Sequence, residues 1–258
     1  MWLLAVSLPL LPVIVVLVTH YRDALAAFCR NLVLHIAAFP WRMPKACVRS
    51  THNFIFVTCT HGNPESVLEA FHLYARTHPA LSLGPSKGEI LDEVVRQVAP
   101  SRVLELGTHC GYSSVRILRL LPPGGRLLTV ERDPVTAEAG EEVILVAGFK
   151  HSQFQLLTCP SADAIVHLRT HLGAGLLELV LMDHDVGQYL SDLQALEREE
   201  LLAPGCVLLF NNAHPPAADT LLGYVGSRPE RYAIRQQDHS LLELQCPLLA
   251  APVPLQPS

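Results

Sequence analysis

Five short apolar runs, each followed by a segment with helical character, constrain the fold of this chain more than any other feature. Strands that are hydrophobic along their whole length are typical of parallel sheets buried on both faces. Two more strands near the end of the chain are predicted to form an antiparallel hairpin at one sheet edge. We therefore predict an α/β fold: a mostly parallel sheet of seven strands with helices on both faces. The predicted strands are 103–106, 127–130, 154–157, 179–182, 206–210, 232–235 and 241–244.

The N-terminal segment predicts a membrane anchor. Residues 1–19 contain no charged side chain, and a membrane-spanning helix needs about 17–25 residues. We predict an uncleaved transmembrane helix at residues 1–20; a signal peptide is the alternative, although no basic residue precedes the apolar run. Basic residues outnumber acidic ones in the next thirty positions, which predicts a cytosolic main domain on the endoplasmic reticulum or another secretory-pathway membrane.

The rest of the chain is predicted to hold one domain. Residues 21–62 are predicted to form an amphipathic juxtamembrane helix and a linker, residues 63–250 the globular domain, and residues 251–258 a proline-rich tail. Half of the residues are hydrophobic and 17% are charged, which is enough for a large core. The net charge of −5 argues against nucleic acid as a main partner. The seven cysteines have neither a C-x-x-C pair nor zinc-site spacing, so we expect reduced thiols.

The turn after the first predicted strand has the composition of a ligand-binding loop. Glu105 ends the apolar run, and Gly107, Gly111 and Ser113 follow before the next helix. The pattern lacks the third glycine of the dinucleotide fingerprint and the Lys-Ser/Thr pair of the P-loop. A carboxylate here favours a cationic or hydroxyl-bearing ligand, and Glu131 after the second strand is placed to bind ribose hydroxyls. A tight turn without a ligand remains the alternative.

A second group of polar side chains follows the fourth and fifth predicted strands. These residues are Asp183, Asp185, Asn211, Asn212 and His214. The carboxyl ends of parallel strands meet at one edge of a sheet, so the side chains are expected to lie together. Carboxylate and amide oxygens suit Mg²⁺ or Ca²⁺ better than zinc. Alternatively, the asparagines only complete the hydrogen bonding of turns.

Several segments together resemble the catechol O-methyltransferase family. They are Leu104-Glu105-Leu106-Gly107, Cys110-Gly111-Tyr112-Ser113, Leu83-Gly84-x-x-Lys87-Gly88, Asp183-His184 and Leu208-Leu209-x-Asn211-Asn212, and the resemblance spans about residues 63–246. It implies a Rossmann-like fold that transfers a methyl group from S-adenosylmethionine to a small phenol or catechol, with a magnesium ion.

The resemblance also implies roles for individual residues. The residues expected around the cofactor are Leu83, Glu105, Gly107, Gly111, Ser113, Glu131, Ser161 and Asp183. Asp183 and Asn212 match two magnesium ligands, with Asn211 in the third ligand position. Glu243 matches the acid that contacts the second catechol hydroxyl.

Two departures from the family place catalysis in question. Asn211 stands where the family has a third-ligand aspartate, and Val186 stands where it has the catalytic lysine. Magnesium binds mainly through carboxylates, and a general base typically contributes ~10²–10⁴-fold to the rate. Asp185 or His214 could restore the charge, and His184 or His214 could act as the base. The alternative function is a catalytically weak or inactive scaffold that assists the folding or trafficking of another membrane protein.

Overall fold

A computed structural model describes residues 45–78, 83–213, 215–216, 218–238 and 241–246. The predicted anchor at 1–20, the predicted juxtamembrane helix, the tail at 251–258 and His214 lie outside these residues. Within the described ranges, no helix is both long enough and apolar enough to cross a membrane.

The described chain alternates between helices and strands. The helices are α1 (Lys45–Thr58), α2 (Pro64–Ala75), α3 (Gly84–Val98), α4 (Tyr112–Leu118), α5 (Pro134–Val146), α6 (Ser161–Leu172), α7 (Tyr189–Arg198) and α8 (Asp219–Gly226). The strands are β1 (Arg102–Leu106), β2 (Arg126–Glu131), β3 (Phe154–Thr158), β4 (Leu177–Met182), β5 (Leu202–Asn211), β6 (Ala233–Asp238) and β7 (Leu241–Gln245). A short 3₁₀ turn at Val186–Gln188 precedes α7.

The seven strands form one mixed sheet in the order β3-β2-β1-β4-β5-β7-β6. Strands β1 to β5 pair in parallel, and β7 is antiparallel to both β5 and β6. The predicted parallel sheet with an antiparallel edge is therefore confirmed. The strand order reverses between β1 and β4, and ligands of open α/β sheets bind at the carboxyl ends of the strands beside such a point.

Alternate residues of each strand enter two hydrophobic clusters, one on each face of the sheet. Val103 packs with α1 to α5, whereas its neighbour Leu104 packs with α6 to α8. This alternation is the two-residue period of a strand, and both sets of alternate residues are mostly apolar because both faces are covered. The prediction of helices on both faces is confirmed.

The stretch predicted to be a linker before residue 63 contains helix α1, which is part of the domain. Val48 is 4% exposed and Ile55 is fully buried, and both belong to the cluster on the α1–α5 face. The helix packs against α2 and α5. Val48, Thr51 and Ile55 are spaced three and four residues apart, so they share one face. We missed this helix because its apolar stripe is short and interrupted by polar residues.

If α1 belongs to the core, shortening Ile55 should destabilise the whole domain. We expect Ile55→Val to reduce the free energy of unfolding by about 1 kcal/mol, because it removes one buried methylene. Val57→Ala is the matched control, since Val57 is 87% exposed on the same helix and should change stability by less than about 0.5 kcal/mol. Equal effects of the two substitutions in urea unfolding would contradict the assignment.

Other element boundaries also differ from the prediction. Strand β5 begins at Leu202, four residues before the predicted strand at 206–210. Strand β6 spans Ala233–Asp238, whereas residues 232–235 were predicted.

Candidate active site

The turn after β1 brings the carboxyl ends of three strands together. Gly107 has a φ of +103°, and a Cβ at this position would lie 2.3 Å from the carbonyl oxygen of Asp183. Its backbone N–H donates to the carbonyl of Val130 on β2 at 2.9 Å. Gly111 has a φ of +82° and begins α4, where a Cβ would lie 3.0 Å from the carbonyl of Gly140. The two glycines of the predicted G-x-x-x-G loop thus lie where the backbone passes close to the backbone of Asp183 and of Gly140.

Glu105 lies inside the sheet, not at its rim. Its side chain is fully buried, and its Oε2 accepts hydrogen bonds from Ser114 and, at 2.6 Å, from Thr129. Burial raises the pKa of Glu105 to about 7, and nearby hydroxyl groups, including that of Ser113, act in the opposite direction. Its Oε1 has no hydrogen-bond partner among the described residues. A buried carboxylate oxygen without a donor is costly, so a ligand that brings a donor or a positive charge would stabilise it.

Glu131 ends β2 beside the same turn and is half-buried. Its Oε2 accepts from the backbone N–H of His109 at 3.0 Å, and its Oε1 accepts from Asp133 N–H at 3.1 Å. A carboxylate can accept about four hydrogen bonds, so each oxygen can still accept from a hydroxyl group. Near this carboxylate, His109 has a buried Nε2 without a partner in the described chain, and burial lowers the pKa of that imidazole.

At the ends of β4 and β5, three of the predicted residues meet a fourth that was given no role. The amide nitrogen of Asn211 donates to Asp183 Oδ1 at 2.6 Å. The ammonium group of Lys87 donates to Asn211 Oδ1 at 2.7 Å and to Asn212 Oδ1 at 3.0 Å. We call Lys87, Asp183, Asn211 and Asn212 the strand-end cluster.

The strand-end cluster is enclosed enough to change the acid–base properties of its members. Burial raises the pKa of Asp183, and the Asn211 hydrogen bond opposes this effect. Burial also lowers the pKa of Lys87, and the Asp183 charge opposes this effect. Below the cluster, the Tyr189 hydroxyl lies 2.9 Å from the carbonyl oxygen of Met182 and 2.8 Å from that of Asn211, which ties the ends of β4 and β5 together.

A buried ion pair holds α3 against α4. A Cβ on Gly88 would lie 2.2 Å from Arg116 Nη1, so the absent side chain leaves room for this guanidinium. Arg116 pairs with Asp92 of α3 at 2.8 Å, and both side chains are buried. The Lys-Gly pair therefore fixes α3 against α4 and presents Lys87 to the strand ends. The sequence motif contained Lys87, but its contact with residues 124 positions later cannot be read from one sequence.

Three residues that were predicted to surround the cofactor have no described contact with the strand-end cluster. Leu83 is buried directly before α3, and Ser161 is the first residue of α6, after the end of β3. Ser113 is buried in the first turn of α4. The structure places all three near the ends of elements that converge on this edge, and their roles toward a cofactor stay predictions.

His184 is held by a buried carboxylate that the sequence reasoning missed. Its Nε2 lies 2.7 Å from Asp192 Oδ2, and Asp192 is almost fully buried on α7. The Nδ1 of His184 is buried and has no partner among described residues. This is the arrangement in which a carboxylate orients an imidazole and leaves its other nitrogen for a ligand. His184 and Asp192 are eight positions apart in the sequence, and this spacing alone does not indicate that they are in contact.

Two other predicted catalytic residues do not join the strand-end cluster. Asp185 is exposed, and its carboxylate accepts from Gly187 N–H at 3.0 Å, so it caps the 3₁₀ turn and does not restore the charge missing at Asn211. Glu243 pairs with Leu209, two residues before the strand end. Its side chain lines a cavity of about 400 Å³ together with residues such as Val94 and Arg235. Burial raises the pKa of Glu243, and Arg235 opposes this effect.

The strand-end cluster does not fit a magnesium ion. No group of three or more His, Cys, Asp or Glu side chains suited to a metal occurs in the described ranges. The cluster contains one carboxylate, which already accepts from an amide, and both asparagine oxygens accept from an ammonium group. Magnesium needs hard oxygen ligands, largely carboxylates, that face a common point.

Comparison with known proteins identifies the family of this fold. The sequence profile of the family described as O-methyltransferase matches residues 66–215. This chain belongs to the O-methyltransferase family. It is 37% identical to the human transmembrane O-methyltransferase over 230 residues, which is 86% of this chain and 77% of that protein.

Two further relatives support the same assignment. Catechol O-methyltransferase B of Danio rerio is 43% identical over 167 residues, 64% of this chain and 63% of that protein. The resemblance to catechol O-methyltransferases is therefore confirmed. The crystal structure of the O-methyltransferase TomG from Streptomyces achromogenes, in complex with S-adenosylmethionine, superposes with a TM-score of 0.58 at 22% identity, covering 69% of this chain and 88% of TomG. It confirms the Rossmann-like fold.

Proposed function

We propose that this O-methyltransferase uses S-adenosylmethionine to methylate a hydroxyl group of a small phenol or catechol. The observation that carries the proposal is the pair of carboxylates at neighbouring strands, Glu105 with an unpartnered oxygen and Glu131 with spare acceptor capacity. TomG was solved with S-adenosylmethionine, and relatives named catechol O-methyltransferase supply the substrate class.

In this proposal the two carboxylates hold opposite ends of the cofactor. Glu131 accepts hydrogen bonds from the ribose hydroxyls, since it lies at the end of β2. Glu105 faces the positively charged methionine portion, which would give its buried Oε1 a partner. The other cofactor contacts are those predicted for Leu83, Gly107, Gly111, Ser113, Ser161 and Asp183. The unpartnered nitrogens of His109 and His184 offer further hydrogen bonds.

Methyl transfer requires an in-line approach of the acceptor oxygen to the methyl carbon. Holding the two groups in this geometry supplies most of the rate enhancement, because the displacement needs little covalent assistance. Val186 cannot take the hydroxyl proton, so we assign this role to His184, which is oriented by Asp192, or to His214, which lies outside the described residues. No step is assigned to magnesium, since the strand-end cluster does not fit it.

The test is a titration of S-adenosylmethionine followed by a methyl-transfer assay with catechol and labelled cofactor. We expect Glu131→Gln to weaken cofactor binding by at least about tenfold, because the neutral amide is a weaker acceptor for two hydroxyls. Glu138→Gln is the matched control, since Glu138 is exposed on α5 and should leave binding unchanged. A wild-type protein that binds no S-adenosylmethionine would contradict the proposal.

The second candidate function is a methyltransferase-fold scaffold for another membrane protein. The specific observation in its favour is that Val186 packs against the core cluster on the α7 side, at the position where the family resemblance puts the catalytic lysine. Binding of S-adenosylmethionine without transfer to any of a panel of phenols would favour the scaffold. Measurable turnover with catechol would exclude it as the sole function.

Membrane attachment remains part of the proposal. Relatives of this chain are named transmembrane O-methyltransferase, and the predicted anchor at residues 1–20 agrees with such a location. We propose that the anchor holds the domain at the endoplasmic reticulum or another secretory-pathway membrane. Alkaline extraction of membranes from expressing cells tests this, because a spanning anchor keeps the protein in the pellet whereas a peripheral protein is released.

A further inference from the structure

We propose that the ammonium group of Lys87 is the resident cation of the acceptor site and takes the place that the family resemblance assigns to magnesium. Lys87 contacts the side-chain oxygens of both Asn211 and Asn212, which are two of the three positions expected to bind the metal. Acceptor binding and methyl transfer are then independent of divalent ions. The inference rests on the proposed function and names the group that orients its acceptor.

The orientation of the Asn211 amide supports this assignment. An ammonium group can only donate hydrogen bonds, and an ionised carboxylate can only accept them. The amide of Asn211 lies between the two, with its oxygen on Lys87 and its nitrogen on Asp183. An aspartate at this position could not donate to Asp183, and the two carboxylates would repel each other without a cation between them. The asparagine thus matches a lysine-filled site.

The charges in the strand-end cluster also support Lys87 as its resident cation. The strand-end cluster contains one negative charge, on Asp183, and one positive charge, on Lys87. Adding a divalent ion would leave an excess of two positive charges beside a single carboxylate. The stem of Lys87 starts from the first turn of α3, and the buried pair of Arg116 and Asp92 holds this helix against α4.

Lys87 retains one donor for the acceptor molecule. An ammonium group has three N–H bonds, and the two asparagine oxygens accept two of them. The third donates to the acceptor oxygen and stabilises its negative charge as the hydroxyl proton passes to the histidine base. The oxygen then bonds to the methyl carbon as the carbon–sulfur bond breaks, and the sulfonium becomes a neutral thioether. Lys87 keeps its proton throughout.

Mn²⁺ binding to the full chain, followed by electron paramagnetic resonance of the free ion, tests the assignment directly. We expect wild type to leave Mn²⁺ free at sub-millimolar concentrations. The double variant Lys87→Met with Asn211→Asp removes the resident cation and restores a carboxylate, and it should bind Mn²⁺ at least about tenfold more tightly. Lys150→Met is the matched control, because Lys150 is exposed before β3 and should leave Mn²⁺ binding as in wild type.

Binding of Mn²⁺ to wild type that is displaced by Mg²⁺ would overturn the inference, whether or not the double variant folds. Methyl transfer by wild type should proceed at the same rate in EDTA and in Mg²⁺, and a loss of tenfold or more in EDTA would also overturn it. Lys87→Met should lose transfer while retaining S-adenosylmethionine binding, and Lys87→Arg should recover part of it; transfer unchanged in Lys87→Met would refute the role of Lys87. Failure of wild type to bind S-adenosylmethionine refutes only the proposed function, because the Mn²⁺ result does not depend on it.

Discussion

Replacing Gly107 with alanine is expected to destabilise the domain by about 2–5 kcal/mol and to abolish S-adenosylmethionine binding. Two costs add at this position. The φ of +103° is unfavourable for any residue with a Cβ, by about 1–2 kcal/mol, and the new methyl group would overlap the Asp183 carbonyl, which adds about 1–3 kcal/mol. Because the overlapping atom belongs to the backbone of Asp183, directly after β4, relief requires the ends of β1 and β4 to separate.

The matched control is Gly124→Ala. Gly124 also has a positive φ, +83°, but nothing lies within 4 Å of a Cβ built there. It should therefore show only the conformational cost, about 1–2 kcal/mol, with cofactor binding intact. Urea unfolding and isothermal titration of the two variants separate the contributions. If Gly107→Ala were no less stable than Gly124→Ala, the close crossing of β1 and β4 would be refuted.

The buried carboxyl of Glu105 is expected to make the domain less stable as the pH rises toward 8. Its pKa is about 7 in the folded protein, compared with 4.5 as the ordinary value. Between these values the folded state binds more protons than the unfolded state, so the free energy of unfolding falls with increasing pH. The full loss is about 3 kcal/mol, reached above pH 7, and it is absent below about pH 4.5.

Glu105→Gln should remove the part of this decline that Glu105 causes, because glutamine has the same shape and does not titrate. A decline from Asp183 remains, since burial raises the pKa of that carboxyl as well. Urea unfolding at pH 5, 6, 7 and 8 measures the effect. Glu138→Gln, on the exposed face of α5, is the control and should keep the wild-type decline. A wild-type protein whose stability is constant over this range would contradict the prediction.

The same carboxyl links cofactor binding to protons. If the positively charged methionine portion approaches Glu105, it favours the ionised carboxylate and lowers its pKa. Binding of S-adenosylmethionine near pH 6.5 should then release a fraction of a proton, which calorimetry detects as a heat that depends on the ionisation enthalpy of the buffer. In Glu105→Gln the buffer dependence should disappear. If the wild-type binding heats are equal in all buffers, the positively charged methionine portion does not bind beside Glu105.

The sheet was predictable because its signals are local. The strands β1 to β5 are mostly apolar, and the glycine-rich composition of the segment after β1 indicates the Gly107 turn. Helix α1 was missed because its buried face has only a few apolar residues, and its stability comes from packing against α2 and α5.

The candidate site was predicted in parts. Asp183, Asn211 and Asn212 do meet at the ends of β4 and β5, as parallel strands require. Asp185 caps a local turn and Glu243 pairs with β5 two residues before the end of that strand, so both lie apart from the strand-end cluster and their catalytic roles stay predictions. The contact between Asn211 and Lys87 could not be predicted, because Lys87 lies on α3 and reaches the strand ends only in the folded structure.

The contact between Lys87 and Asn211 joins residues 124 positions apart, whereas Glu105 and Thr129 are 24 apart. During synthesis from the N-terminus, β1, α4 and β2 can therefore form the hydrogen bonds of Glu105 while β5 has not yet been made. The ammonium group of Lys87 has no contact with Asn211 and Asn212 until these residues have been synthesised. If the strand-end cluster binds the acceptor as proposed, this half of the site forms last and needs a sheet that is complete through β5. A chain shortened before β5 could then hold the cofactor but could not bind the molecule that receives the methyl group.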